Sequence, residues 1–290
     1  MKYRIGCRTR CGINHKWLLC ILVFIITVTV ERMPLRAVGD SEQIQAENEQ
    51  SVQSGAYQIP PPHLIQTVTE QDIYEGLLWL GALETPVLEN GDCAAAYENV
   101  KDSVVLVHME NAYGSGVIWE MTPEMIIIAS SKHVLEYWDE AFSYVRFPQG
   151  YTATGKVLGI SQEYDIGFLA IDNAEFTYPE LEKLRCAHGD MLLYQAMQTG
   201  DEMFCAGAGD EAQEGSGTYY PGTLESMWMY IEDFGEYMIY AHGYAEPGMS
   251  GGGVFDARGN LIGILTGATA DGETASLPLP VMIEAYEVLR

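Results

Sequence analysis

Residues 247–253 read PGMSGGG, and residues 252–265 continue GGVFDARGNLIGIL. Glycines on both sides of Ser250 free the backbone for a tight, exposed loop that presents one hydroxyl. In such a loop the N–H groups of Gly248 and Ser250 can converge on one point, as stabilisation of a developing oxyanion requires. The apolar runs after it, split by the turn Arg258-Gly259-Asn260, read as two antiparallel strands. A Gly-rich loop alone is an ordinary turn; the strand pair behind it is what makes it specific.

Working outward, residues 126–134 read IIIASSKHV. A buried strand ends in small residues and then delivers His133, the placement a general base needs to meet a hydroxyl. Of the six histidines, only His242, eight residues before Ser250, rivals it. Residues 163–171 read EYDIGFLAI, with Asp165 at the entry of an apolar strand, where a carboxylate can orient an imidazole and stabilise its charged form. Asp172, at the far end of that strand, is the weaker candidate.

Between and around these motifs run short β-rich segments: 103–109, 116–121, 125–130, 143–147, 154–160, 166–171, 202–208, 227–231, 238–243, 252–257 and 260–268. Turn residues separate most of them, so the body reads as all-β, a sandwich or a pair of barrels. Residues 280–290 (PVMIEAYEVLR) read as one closing helix with Pro280 in its first turn.

The order His133, Asp165, Ser250 is one of the known triad orders. With it, residues 96–290 resemble the trypsin-like protease domain of the HtrA/Deg family. Ser103-Val104-Val105 with Gly114-Ser115-Gly116-Val117 resembles that family's first strand pair. Gly200-Asp201-Glu202-Met203-Phe204-Cys205-Ala206-Gly207 resembles a later strand, PGMSGG its nucleophile loop, and Leu277-Pro278-Leu279-Pro280 the segment before its last helix. The resemblance implies a double six-stranded β-barrel of the trypsin type with a C-terminal helix. It implies peptide-bond hydrolysis through an acyl-enzyme, with His133, Asp165 and Ser250 as the triad and Gly248 and Ser250 as the oxyanion hole. Tyr244 would form the floor of the primary pocket and Thr266, Gly267 and Ala268 its wall. No acidic residue stands at the floor, so a small or medium apolar substrate residue is expected there. Two positions depart from the family pattern: Lys132 precedes the histidine, and Met249 stands where Asn or Asp is usual. No PDZ module is expected after Arg290, and no cofactor or metal is implied. Protein or peptide substrates are the expected partners, and the family suggests a homotrimer.

The remaining third is organised differently. The chain has 15 basic and 41 acidic residues, a net charge of −26. Five of the basic residues lie in the first 16, leaving −31 over residues 17–290. A body so acidic is repelled by nucleic acid and anionic lipid. Residues 1–16 read as a basic cytoplasmic leader, and residues 17–30 (WLLCILVFIITVTV) as a signal h-region or a membrane anchor. Ala37-Val38-Gly39 offers a cleavage site, whereas Lys16 and Arg32 suit an anchor, the reading slightly favoured. Either way the body is exported: single-pass with its domain outside, or secreted. Residues 31–95 read as a polar tether with a short helix near 70–82. Among six cysteines, a Cys186–Cys205 bridge stays open.

Overall fold

The computed structural model describes residues 67–208 and 217–290, together with the backbone of Arg4–Ile5. The rest of the leader, the apolar run 17–30 and most of the tether lie outside the described residues. No helix among those described is long and apolar enough to cross a membrane.

Helix α1 (Glu70–Leu80) opens the described body. Thr69 caps it in a reciprocal box with Asp72, and Gly81 ends it in the left-handed region at φ 69°. Tyr74 and Leu78 anchor it in the N-terminal core. Helix α2 (Cys93–Val100), held by an Asp92 cap, was not foreseen. Its alanine-rich first turns carry no clear periodicity, yet Tyr97 stacks on Tyr219 at 4.4 Å and ties the helix to the C-terminal half.

The N-terminal half is built from β1 (Val104–Met109), β2 (Ala112–Met121), β3 (Met125–Ser130), β4 (Tyr144–Arg146), β5 (Thr152–Ala153), β6 (Lys156–Ile160) and β7 (Gly167–Asp172). They form one seven-stranded sheet in the order β5-β4-β1-β2-β3-β7-β6. Here the expected closed six-stranded barrel is corrected: the first half is a half-barrel whose end strands, the two-residue β5 and the bulged β6, do not pair with each other. The unbroken apolar run of β3 has a packing reason. Ile126 and Ile128 face the N-terminal core, while Ile127 and Ala129, on the other face, join the core shared with the second half. A strand covered on both faces shows no polar alternation.

The C-terminal half is a closed barrel of β8 (Glu202–Gly207), β9 (Thr218–Ile231), β10 (Glu236–Gly243), β11 (Gly253–Asp256), β12 (Leu261–Ala268) and β13 (Glu273–Pro278), in the order β8-β9-β10-β13-β12-β11. Strand β9 is far longer than the segment 227–231 suggested, because its half-exposed, mixed sequence is held by pairing to β8 and β10 rather than by burial. Strand β13 was missed, since Gly272 and Pro278 frame it as a loop. The last helix, α4 (Leu279–Leu289), has Pro280 in its first turn and buries Leu279 and Met282. Its Tyr286 hydroxyl donates to Glu120 of β2, which clamps the two halves together.

Cys186 and Cys205 do not form a bridge. Cys186 packs in the N-terminal core with its thiol donating to Leu83 O, and Cys205 lies in the shared core of the C-terminal half. Burial pushes the Cys205 thiol up to about 12, so it stays protonated and unreactive.

Candidate active site

Strand pairing brings two of the sequence candidates together. Strands β3 and β7 run antiparallel with Ser130 opposite Gly167. The chain leaving β3 and the chain entering β7 therefore emerge side by side. The first turns at once into the short helix α3 (Lys132–Leu135), which carries His133. The second arrives through a turn in which the Ser161 hydroxyl accepts the N–H groups of Glu163 and Tyr164 at 3.2 and 3.1 Å. Asp165 follows from that turn. His133 Nδ1 lies 2.9 Å from Asp165 Oδ2 and 3.1 Å from Oδ1, and the His133 backbone N–H donates to Oδ1 at 3.0 Å. One carboxylate thus fixes both the ring and the main chain of the histidine.

The third candidate comes from the other half. The loop 247–252 is held down chiefly by its backbone. Ser115 N donates to Ser250 O and Ser115 Oγ to Gly248 O, both at 2.8 Å. The same hydroxyl accepts from Ala208 N at 3.0 Å. Gly251 N donates to Leu265 O at 2.8 Å, and Ser131, two residues before the histidine, donates through Oγ to that same carbonyl at 3.2 Å. The serine loop is therefore seated against the start of α3. The glycines are needed for this close approach. Gly251 has φ 83°, and a β-carbon there would fall 2.3 Å from Ser115 O and 2.8 Å from Ser131 N. Gly248 has φ 90°, with the ring of Tyr113 only 2.2 Å from where its β-carbon would stand.

Ser115 is the functional residue that sequence reasoning noticed without a role. Its signal was the flanking glycine pair: a side chain at Gly114 would strike Val134 at 2.7 Å and crowd Ser250 O.

The backbone N–H groups of Gly248 and Ser250 donate to no acceptor among the described residues, while Met249, Gly251 and Gly252 each do. Met249, the departure from the family pattern, is fully buried. It lies against Gly207, and its sulfur accepts the Glu246 N–H at 3.3 Å. An apolar side chain thus secures the loop from beneath in place of a polar one.

The other sequence candidates scatter. Thr266 is buried with its hydroxyl unpaired among the described residues, Gly267 is half-buried and Ala268 is exposed. Tyr244 is 48% exposed, its ring edge-on to Tyr220 at 4.9 Å. The rivals are placed elsewhere: His242 is exposed, 3.6 Å from Glu225, and Asp172 caps the turn that follows β7. Cavities of about 480 and 370 Å³ are lined by residues 81, 82 and 84–87 with Arg185 and His188, and by residues 91–94 with β8 and β9; neither involves the triad candidates.

The model of the trypsin-like peptidase domain family matches residues 114–264. The chain belongs to the trypsin-like peptidase family. Among solved structures, this peptidase domain resembles the HtrA-type protease AlgW with a decapeptide, at 19% identity over 68% of this chain and 67% of that one, TM-score 0.55. A variant of the same protease with a tripeptide gives 22% identity over 68% and 62%, again with TM-score 0.55. At that identity the likeness is one of fold, and the peptidase domain spans about two thirds of those chains. No curated protein matches the sequence.

Two predictions arise from this geometry. The hydrogen bond to Asp165 raises the His133 pKa above 6.5, its burial opposes this, and the charges of Asp165 and Glu136 add to the rise. A base must be neutral to accept a proton, so the rising limb of kcat/KM against pH is expected to have its midpoint above 6.5. The sign for stability is the reverse. The raised pKa contributes stability that is fully present below the unfolded-state value and is lost as pH rises through the folded one. A pH–rate profile and an NMR titration of the ring check both. The second prediction is that Gly251→Ala destabilises the fold by at least about 2 kcal/mol, since left-handed backbone and a backbone clash act together. A thermal melt unchanged from wild type would count against the loop packing described.

Proposed function

We propose that the chain is a serine endopeptidase that hydrolyses peptide bonds of protein substrates by a Ser-His-Asp acyl-enzyme mechanism. The observation that supports this is the Asp165-oriented imidazole on α3, with the serine loop held to Ser131, two residues before it, through the shared Leu265 carbonyl. Ser250 Oγ attacks the scissile carbonyl while His133 Nε2 takes its proton. Asp165 holds the proton on Nδ1 and stabilises the imidazolium. The unclaimed N–H groups of Gly248 and Ser250 receive the oxyanion. His133 then protonates the leaving amine, and water repeats the sequence to release the acid.

The substrate strand pairs with the β12 edge at residues 266–268, beyond the end of β11, where β13 occupies only one side. The solved relatives carry bound peptides, in keeping with peptide substrates here. Residues 17–30 export the acidic body, so its substrates lie in the cell envelope or outside. Alkaline carbonate extraction of membranes distinguishes an anchored chain, which stays in the pellet, from a released one. A trimer is carried over from the family alone, and sedimentation of the full chain tests it.

A catalytically silent binding or sensing module is the second reading. The half-exposed Tyr244, which gives the primary pocket no closed floor, favours it. Fluorophosphonate labelling of the full chain decides between the two: a folded wild type that takes up no probe supports the silent module.

A further inference from the structure

The hairpin joining β9 and β10 brings its tip to the substrate edge. A β-carbon on Gly267 would stand 3.0 Å from Cζ of Phe234, so this ring covers the glycine where a side chain of β12 would otherwise lie. Successive strand residues face opposite ways. Gly267, paired with Ala275, and Phe234 over it therefore lie on the face opposite Ala268, paired with Thr274; of the three residues expected to wall the primary pocket, Gly267 turns to the other face, and the pairing slips at Thr266. Two residues beyond Phe234, Glu236 is half-buried, and its Oε2 is shielded from solvent yet accepts no hydrogen bond among the described residues. Burial raises its pKa, the Asp165 charge adds to the rise and Lys132 opposes it, which places this carboxylate in the field of the triad rim. A shielded acceptor without a donor is destabilising, and a bound cation relieves that.

We propose that Phe234 and Glu236 form a substrate subsite for a basic side chain, lysine or arginine, with its stem on the Phe234 ring and its charged head on the Glu236 carboxylate. This rests on the protease reading. An aromatic face attracts a cation and accepts its aliphatic stem, and the net −31 of residues 17–290 draws cationic chains toward the cleft. Period-two alternation sets the position. With the residue before the cleaved bond facing Ala268, the second and fourth residues upstream face Gly267, and the third does not.

The test uses the full chain and quenched peptides that differ only in carrying lysine or norleucine at the second, third or fourth upstream position. Lysine at the second or fourth position is expected to raise kcat/KM about tenfold over norleucine, with no gain at the third. In Glu236→Gln that ratio falls to about one, and in Phe234→Ala it falls part-way. No preference in the wild type, a preference at the third position, or a preference that survives Glu236→Gln overturns the subsite. The same peptides are also tested for binding to Ser250→Ala by fluorescence polarisation, so that failure of the protease reading is told apart. Lysine-dependent binding lost on adding Glu236→Gln supports the subsite even where no peptide is cut. Equal binding of both peptides, or none of either, overturns it.

Discussion

Ser250→Ala abolishes hydrolysis, with kcat falling about 10⁶-fold, and removes fluorophosphonate labelling. The loss is expected to be large because, in the proposed mechanism, the hydroxyl oxygen of Ser250 forms the bond to the scissile carbonyl. The fold should not register the change. The loop is held by Ser115 N to Ser250 O, Ser115 Oγ to Gly248 O and Gly251 N to Leu265 O, none of which uses the Ser250 side chain. The expected result is a melting temperature close to wild type beside a dead enzyme. A variant that keeps more than about a hundredth of wild-type turnover would show that another nucleophile carries the reaction, since acyl transfer without Ser250 leaves only binding and the oxyanion hole.

Asp165→Asn lowers kcat by about 10⁴-fold at neutral pH. The carboxylate accepts from both the His133 ring and the His133 backbone N–H. An asparagine can keep the backbone bond through its amide oxygen. Its NH₂ facing Nδ1 then favours the tautomer with the proton on Nε2, which cannot accept one from Ser250. The hydrogen bond from the His133 ring to Asp165 is also the largest influence raising the His133 pKa, so the imidazole of the variant should titrate at lower pH. NMR of the ring reads the tautomer and the titration together. Full activity in Asp165→Asn beside an inactive Ser250→Ala would mean that a different carboxylate orients the histidine.

The two variants also separate what strand chemistry made legible from what it did not. His133 and Asp165 could be read because each sits at the end of an apolar strand, and β3 and β7 are such continuous runs that few other placements remain. Ser250 could be read because only glycine tolerates the left-handed turns on either side of it. The secondary signals were weaker. Helix α2 has too little apolar periodicity to declare itself, and β13 hides behind turn residues. The half-barrel was legible as strands but not as an open sheet, since closure depends on whether the end strands meet, a property that no local pattern encodes.

The sequence by itself determined that the chain is a β-rich body with three chemically matched motifs in one order, because those features are local: alternation, turn residues and glycine at strained φ. Only the tertiary structure decided that Ser115 crosses from the N-terminal half to seat the serine loop. It alone showed that Cys186 and Cys205 lie in different cores, and that Phe234 reaches back over Gly267. The first joins Ser115 to a residue 133 positions away, the last brings Phe234 over Gly267, and the second keeps two nearby cysteines apart; long-range placement of this kind leaves no mark on the residues beside it in the chain.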